Sequence, residues 1–314
     1  MGIYLIKRLG ASLLTAFIAS ILVFLVVRMV PGDVVAQMMG QAGDPQAAKS
    51  LREFFGLDQP VYVQYITWLL KVLRGDLGSS WTRGMPVTMM VGQAFLVTLE
   101  IGLLTLLIAT LIGVPLGILS GIYEGRPIDT AVQSLNILGL SAPVFWVGLM
   151  LLVAVSGIFS WSPPLRYMPP TRSLGDNLQI LALPVISLAV LQVAAYSQFV
   201  RQNVVSALRQ EYVRTAIAKG VPVRMIFFKH ILRNVMIPII TFMGLILIQI
   251  LGGVVVIESL FALPGLGRLL LTSIETRDYP VLQGALLVVV ATAMVINLLI
   301  DLTYRLIDPR VRVS

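Results

Sequence analysis

The chain has 314 residues, of which 57% are hydrophobic and 12% charged, about half the charged share of an average soluble domain. A soluble fold of this length would have too few polar residues to cover its outside, and a disordered chain is far more polar, so the composition predicts an integral membrane protein. The formal charge of +8 would suit nucleic acid, but membrane proteins gather Lys and Arg on their cytoplasmic side, so the placement of the charges decides.

Cysteine is absent, which excludes a disulfide framework, an iron–sulfur cluster and thiol catalysis. The one histidine, His230, has no second histidine to join it in a zinc site or a triad, and it suits a surface or interface role. No metal site is expected.

Uncharged runs cover 9–27, 101–123, 130–165, 177–200, 234–257 and 279–300, each at least 19 residues long, enough to cross about 30 Å of hydrocarbon as a helix. The first follows Lys7 and Arg8, as in a signal peptide. Its length and the lack of a small-x-small site before Arg28 instead predict a retained helix. The second helix is expected to start near Phe95 and to carry Glu100, with 84–99, which holds Pro86 and Gly92, as its approach. The run 130–165 is too long for one span, so its end, Trp161 to Pro170 with four prolines, reads as an external loop. Pro143, Pro184 and Pro238 stand where they would kink helices or serve a structural role.

Six spans put both termini on one side of the membrane. The segments 1–8, 124–129, 201–233 and 301–314 hold 13 of the 23 Lys and Arg residues in about 60 residues. The remaining segments hold 10 in roughly 100, offset by nine acids. The denser basic set is assigned to the cytoplasm. Topology thus accounts for the basic charge, and nucleic acid is not needed. Glu100, Glu258 and Asp301 sit at span edges, the first two within reach of the interface and Asp301 four residues before Arg305 as a helical pair.

The long segment after the first span opens on Val30-Pro31-Gly32-Asp33 and a polar, Gln-rich stretch. Beyond Pro60, apolar residues at 61, 65, 68, 69, 72 and 73 fall on one helical stripe that ends at Gly75-Asp76-Leu77-Gly78. This is an amphipathic helix on the outer face, either lying in the lipid interface or forming part of an external vestibule. The segment 201–233 carries seven basic residues and one acid, Glu211, with Val204, Val205, Leu208, Tyr212, Ala216 and Ile217 between them. A break at Gly220-Val221-Pro222 precedes a second helical stretch through Ile226-Phe227-Phe228. The pattern predicts a short projecting hairpin. Its length and apolar content favour docking to a protein over a loop held only to anionic lipid.

At Arg214-Thr215-Ala216, three residues, then Gly220, the chain resembles the inner-membrane permease subunits of ATP-binding-cassette importers, whose signature is Glu-Ala-Ala, three residues, Gly. Arg replaces Glu, and the Ile-x-Leu-Pro that usually follows is not at its usual offset. The run Arg214-Thr215-Ala216-x-Ala218-Lys219-Gly220 is similar to the dipeptide/oligopeptide/nickel branch. So are Gly56-Leu57-Asp58-x-Pro60, Gly75-Asp76-Leu77-Gly78, Ser141-Ala142-Pro143-Val144-Phe145-Trp146, Glu258-Ser259-Leu260-Phe261-x-x-Pro264-Gly265, Arg277-Asp278-Tyr279-Pro280 and Asp308-Pro309-Arg310. The resemblance covers nearly the whole chain in order and points to the permease of the pair that has the large outer loop.

The resemblance implies an all-α integral membrane protein of six transmembrane helices, like a type I ABC-importer permease, with a helical extracytoplasmic loop after helix 1. Its layout would be an N-terminal helix at 1–30, the outer loop at 31–94 and a five-helix core at 95–314. No Gly-x-x-x-x-Gly-Lys-Ser/Thr run occurs, so the chain does not cradle ATP in that way, and ATP and Mg would bind two partner ATPase subunits. The resemblance places a coupling helix of Tyr212, Arg214, Thr215, Ala216, Ala218, Lys219 and Gly220 against an ATPase, with Arg214, Arg224 and Lys229 as rim charges. It also implies a second homologous permease and an external solute-binding protein. That protein would be received by 56–81 and 258–280, with Asp58, Gln64, Trp68, Asp76, Arg277 and Asp278 at the dock. Asn136, Ser141, Gln192 and Gln249 are the polar residues expected along the pathway, though such residues also make interhelical hydrogen bonds. Di- or oligopeptides are the expected cargo; nickel chelates, glutathione or another small solute are the alternatives. A secondary carrier of a different class would show repeated halves and midspan charge, and neither is evident.

Overall fold

The computed structural model describes residues 2–29, 35, 39, 44–164, 166–227 and 231–307. His230, Lys229, Phe228 and the stretches 30–33 and 308–310 lie outside the described residues, as do the side chains of Arg224 and Arg305. Among the described residues the chain is helical throughout, apart from one isolated antiparallel bridge between Ser79 and Pro86. Five helices are long and apolar enough to cross a membrane, and a bent pair makes a sixth when counted as one span. The chain divides into two compact units.

The first unit comprises Met1–Val97 and Pro264–Val295. It opens with α1 (Gly2–Met29), followed by α2 (Pro45–Phe55) and α3 (Val61–Leu73). The α2 helix was not read from the sequence, although its signals are present. Asp44 caps it by accepting from the Gln46 N–H, Pro45 occupies the first turn, and Gly56 ends it at φ 66°. The α3 helix has the bounds that its apolar stripe predicts. Phe24 of α1 packs edge-on against Tyr65 and beside Trp68. The end residues of the stripe, Val61 and Leu73, are exposed, and Tyr62, Ile66 and Leu70 form a second apolar row facing outward.

The next helix, α4 (Val87–Ile108), begins well before Phe95. Pro86 stands just ahead of its first residue, where a missing N–H costs nothing, so the proline starts the helix rather than delaying it. Val87, Met90, Val91 and Ala94 pack with Leu266, Val281 and Ala285, from α12 (Leu266–Glu275) and the start of α13 (Tyr279–Ile307).

The second unit comprises Thr98–Leu263 and Ile296–Ser314. A π-helical turn, Ala109–Gly113, leads into α5 (Val114–Ile122). It sits immediately before Pro115, where the regular hydrogen-bond ladder cannot continue. The 130–165 run is not one straight helix. It forms α6 (Pro127–Ser141) and α7 (Val144–Phe159), bent by 100°. Pro143 forces the break, because the residue before a proline is driven to extended backbone, and Ala142 has ψ 124°. Pro184 and Pro238 instead lie inside the uninterrupted helices α8 (Leu174–Leu208) and α11 (Leu232–Leu260).

The core of this unit is α8. Its 35 residues give a length of about 52 Å, well beyond the hydrocarbon thickness. Gly113, Gly117 and Gly121 form a stripe along its surface. A Cβ at Gly117 would fall 2.5 Å from the Ser197 carbonyl oxygen, and one at Gly113 2.9 Å from that of Val193. Lipid tails are as apolar as leucine, so helices in a membrane associate by close packing rather than by hydrophobic burial, and small residues make that approach possible. The acids at the span edges are handled inside the protein. Glu258 is fully buried within the protein and accepts from Thr98 Oγ1 at 2.5 Å. Glu100 accepts from the Tyr167 hydroxyl at 2.7 Å. Burial and that carboxylate push the Tyr167 hydroxyl above its ordinary range.

Candidate functional sites

The 201–233 segment folds as predicted in outline. The helix α8 ends at Leu208, α9 (Glu211–Ala218) follows, and a short α10 (Val223–Ile226) leads on towards α11. Gly220 turns the chain between α9 and α10 with φ 71°, in the left-handed region that favours glycine. Its N–H donates to Ile217 O, and the Val221 N–H donates to Ala216 O. This closes the end of α9 as a left-handed cap.

One residue missed in the sequence holds the hairpin in place. Val213 is 1% exposed and packs with Val204, Ile226, Ile231 and Val235. The rest of α9 faces outward. Tyr212, Arg214, Thr215, Ala218, Lys219 and Gly220 are exposed, and Ala216 is half-buried. Ile217 adds an apolar side chain that is 57% exposed. Arg214 pairs with Glu211 at 3.0 Å on the surface, a contact of little energetic weight. The Tyr212 hydroxyl accepts from Asn234 at 3.1 Å.

The base of this hairpin is tied to the α5–α6 turn. Asp129 is 4% exposed and accepts from Arg201 Nε and Nη2, both at 2.7 Å. It also accepts from Ser120 Oγ at 2.6 Å and from the Gly125 N–H at 2.9 Å. Arg209 adds an exposed bond to Glu124 at 2.8 Å. No sequence signal pointed to this cluster, because its bonded members lie up to 85 positions apart.

The residues of the 56–81 and 264–280 segments divide by exposure. Asp58 is exposed and Arg277 half-buried, with Arg277 in the left-handed region at φ 54°. Asp76 is exposed, and its Oδ1 accepts from the Gly78 N–H at 2.8 Å. Gln64 donates to Leu57 O and Gln59 O and accepts from Arg28, while Trp68 packs on Phe24. Asp278 points inward. At 2% exposure it accepts from Ser80 Oγ at 2.5 Å, Thr82 Oγ1 at 2.7 Å and the Trp81 N–H at 3.1 Å. Replacing Asp278 with Asn places an amide donor among these donors. The expected loss is about 3 kcal/mol, from charge-assisted hydrogen bonds with no substitute. A lower thermal midpoint in detergent and faster proteolysis within 78–86 would show it.

The four polar span residues differ in exposure. Asn136 is buried and donates to Ser197 Oγ at 3.1 Å. Gln192 is buried with no hydrogen-bond partner for its Oε1 among the described residues. Ser141 and Gln249 are exposed, Ser141 at the α6–α7 break.

The chain's relatives agree with this architecture. Residues 113–313 match the family described as binding-protein-dependent transport system inner membrane component, and residues 1–102 match the N-terminal part of such membrane components. A probable peptide ABC transporter permease protein of Sinorhizobium fredii is 34% identical over 99% of this chain and 100% of its own length. The glutathione transport system permease protein of Escherichia coli is 37% identical over 98% of each chain. Among solved structures, an amino acid ABC transporter described with histidines superposes with a TM-score of 0.54 at 17% identity. That likeness covers 71% of this chain and 95% of the other, and it supports an all-α, type I permease fold. With both family segments matched in order on a chain of apolar helices, this protein belongs to the binding-protein-dependent transport system inner membrane components, the multi-pass permease subunits of ABC importers.

Proposed function

We propose that this chain forms half of the pathway by which a bacterial importer carries di- or oligopeptides across the inner membrane. The cargo rests on the names of the relatives. Glutathione is itself a tripeptide, and the relative that transports it is 37% identical, so a short modified peptide is the specific second reading. Both termini face the cytoplasm by the distribution of Lys and Arg. The subunit does no chemistry itself. Two partner ATPases bind ATP and Mg and supply the energy, a second homologous permease completes the pathway as a heterodimer, and an external binding protein delivers the solute.

The observation that carries this reading is α9. It exposes Tyr212 and Ile217 alongside Arg214 and Lys219 while Val213 anchors it from behind. An exposed apolar pair within a basic rim suits a cleft on an ATPase, and closure of the ATPases would rock the paired permeases between two states. In the first unit, Asp58, Asp76 and Arg277 offer charges to a binding protein. Gln64, Trp68 and Asp278 shape the same dock from within. Asn136, Ser141, Gln192 and Gln249 remain the polar candidates for the pathway. The division into an N-terminal helix at 1–30, an outer loop at 31–94 and a core at 95–314 is the functional layout that follows.

Gly220 tests the dock. A Cβ there meets nothing within 4 Å, so the fold has room for a larger side chain and only the positive φ resists it. Replacing Gly220 with Trp is expected to lower uptake about tenfold, from an interface overpacked by 1–3 kcal/mol. The chain should still reach the membrane, and the ATPases should still turn over. Uptake and ATP hydrolysis measured together in reconstituted complexes check this. Unchanged uptake in the Trp variant would sink the assigned dock.

A further inference from the structure

We propose that the first unit carries a binding site for one anionic phospholipid, at the membrane boundary beside α3. A cavity of 610 Å³ opens there, within the size range of ligand pockets. Three of its polar side chains stand out as donors. Gln283 lines it at 5% exposure, and its Nε2 has no hydrogen-bond partner among the described residues. Arg28 lines it half-buried, over the Phe24 ring at 4.2 Å and donating to Gln64, with no carboxylate partner among the described residues. Lys71 stands on the same face of α3 as Gln64 and Trp68. Asp76 is the one acid of the lining among the described residues, and the Gly78 N–H occupies its Oδ1. Two cations and a buried amide donor call for a ligand that accepts.

The walls and the position narrow the ligand. Phe55 and Trp81 stack at 4.5 Å and, with Trp68, offer apolar faces. Arg28 is the penultimate residue of the first apolar span, and Gln283 lies in the opening turns of the last. The cavity therefore sits where hydrocarbon gives way to water. The outward apolar row Tyr62, Ile66 and Leu70 suits α3 to lie in that interface, which brings the cavity to headgroup level. A phosphodiester would accept from Arg28, Lys71 and the Gln283 amide, and the glycerol and first methylenes would rest on the aromatic walls. This inference does not depend on which solute the permease carries.

Native mass spectrometry of the full-length chain, purified with any subunits that accompany it, would compare retention of phosphatidylglycerol and phosphatidylcholine. One phosphatidylglycerol is expected to be held about tenfold more tightly than phosphatidylcholine. Arg28→Gln should remove most of that preference. Gln283→Leu replaces an unpaired donor with a similar apolar volume, so it should fold and weaken retention about threefold. If Arg28→Gln fails to accumulate, Lys71→Gln on the exposed rim gives the same reading of the cationic contribution. Glycerol 3-phosphate, with the same phosphate and no acyl chain, should not displace the lipid at millimolar concentration. Equal retention of the two lipids, a preference unchanged in all these variants, or binding of glycerol 3-phosphate as tight as that of phosphatidylglycerol would each overturn the lipid assignment.

Discussion

Replacing Gly117 with valine is expected to prevent the chain from accumulating as a folded protein, or to lower its thermal midpoint in detergent by a large margin. The ideal Cβ position lies 2.5 Å from a backbone oxygen of α8 and 2.7 Å from Val200 Cβ. A backbone atom cannot swing aside as a side-chain tip can, so the two helices must separate. Overpacking a close contact ordinarily costs about 1–3 kcal/mol. Here separation also loosens the Gly113 and Gly121 contacts, which lie one helical turn away on either side, so the cost should reach the top of that range. Gly117→Ala should show the same effect in smaller measure. Gly92→Val provides the contrast, since a Cβ there meets nothing within 4 Å. Thermal unfolding of the three variants, followed by fluorescence size exclusion, would rank them. Equal midpoints for Gly117→Val and Gly92→Val would refute the close-packing account.

Arg201→Ala is expected to have the second large effect, on stability and on coupling together. The guanidinium meets Asp129 with two parallel bonds, the strongest geometry for such a pair. Removing it leaves a buried carboxylate with Ser120 and Gly125 but no cation, a loss of about 3 kcal/mol. The pair joins the α5–α6 turn to α8, eight residues before α8 gives way to the α9 hairpin. Loosening it should therefore also lower uptake per ATP hydrolysed. The neutral pair Asp129→Asn with Arg201→Gln should recover part of the lost stability, because neither partner is then a stranded charge. The swapped pair Asp129→Arg with Arg201→Asp should not recover it, since Ser120 and Gly125 still donate toward position 129 and need an acceptor there. A swapped pair as stable as the native one would mean that charge balance alone matters and the four-donor geometry does not.

Much of the architecture was legible in one dimension because the bilayer acts on each helix separately. An uncharged run of 19 or more residues is stable in hydrocarbon whatever it packs against, and the predicted runs, the third without its proline-rich end, fall within the long helices and the bent pair to within a residue. The α3 stripe and the Gly220 break were legible for the same reason. Each is a rule of helix geometry or backbone conformation that acts within a few residues. Where local reading failed, a second local rule had been overlooked. The capped α2 helix and the start of α4 at Pro86 follow from proline and cap chemistry, as does the 100° break at Pro143, a proline already marked for a kink or a structural role.

Composition and pattern by themselves determined that the chain is a multi-span membrane protein with a projecting basic hairpin, because transfer free energies and helix periodicity are properties of short segments, and its motifs carried the resemblance to a permease. Only the tertiary structure decided what the polar residues do. Asp278 reads as a surface charge, yet its carboxylate is consumed by Ser80 and Thr82, up to 198 positions away. Asp129 reads as a loop acid, yet it closes a four-donor cluster with Arg201. The glycines at 113, 117 and 121 become meaningful only when α8 lies across them. A buried charge or a missing Cβ is stable only with a specific partner, and that partner is brought near by the packing of whole helices, which no local pattern encodes.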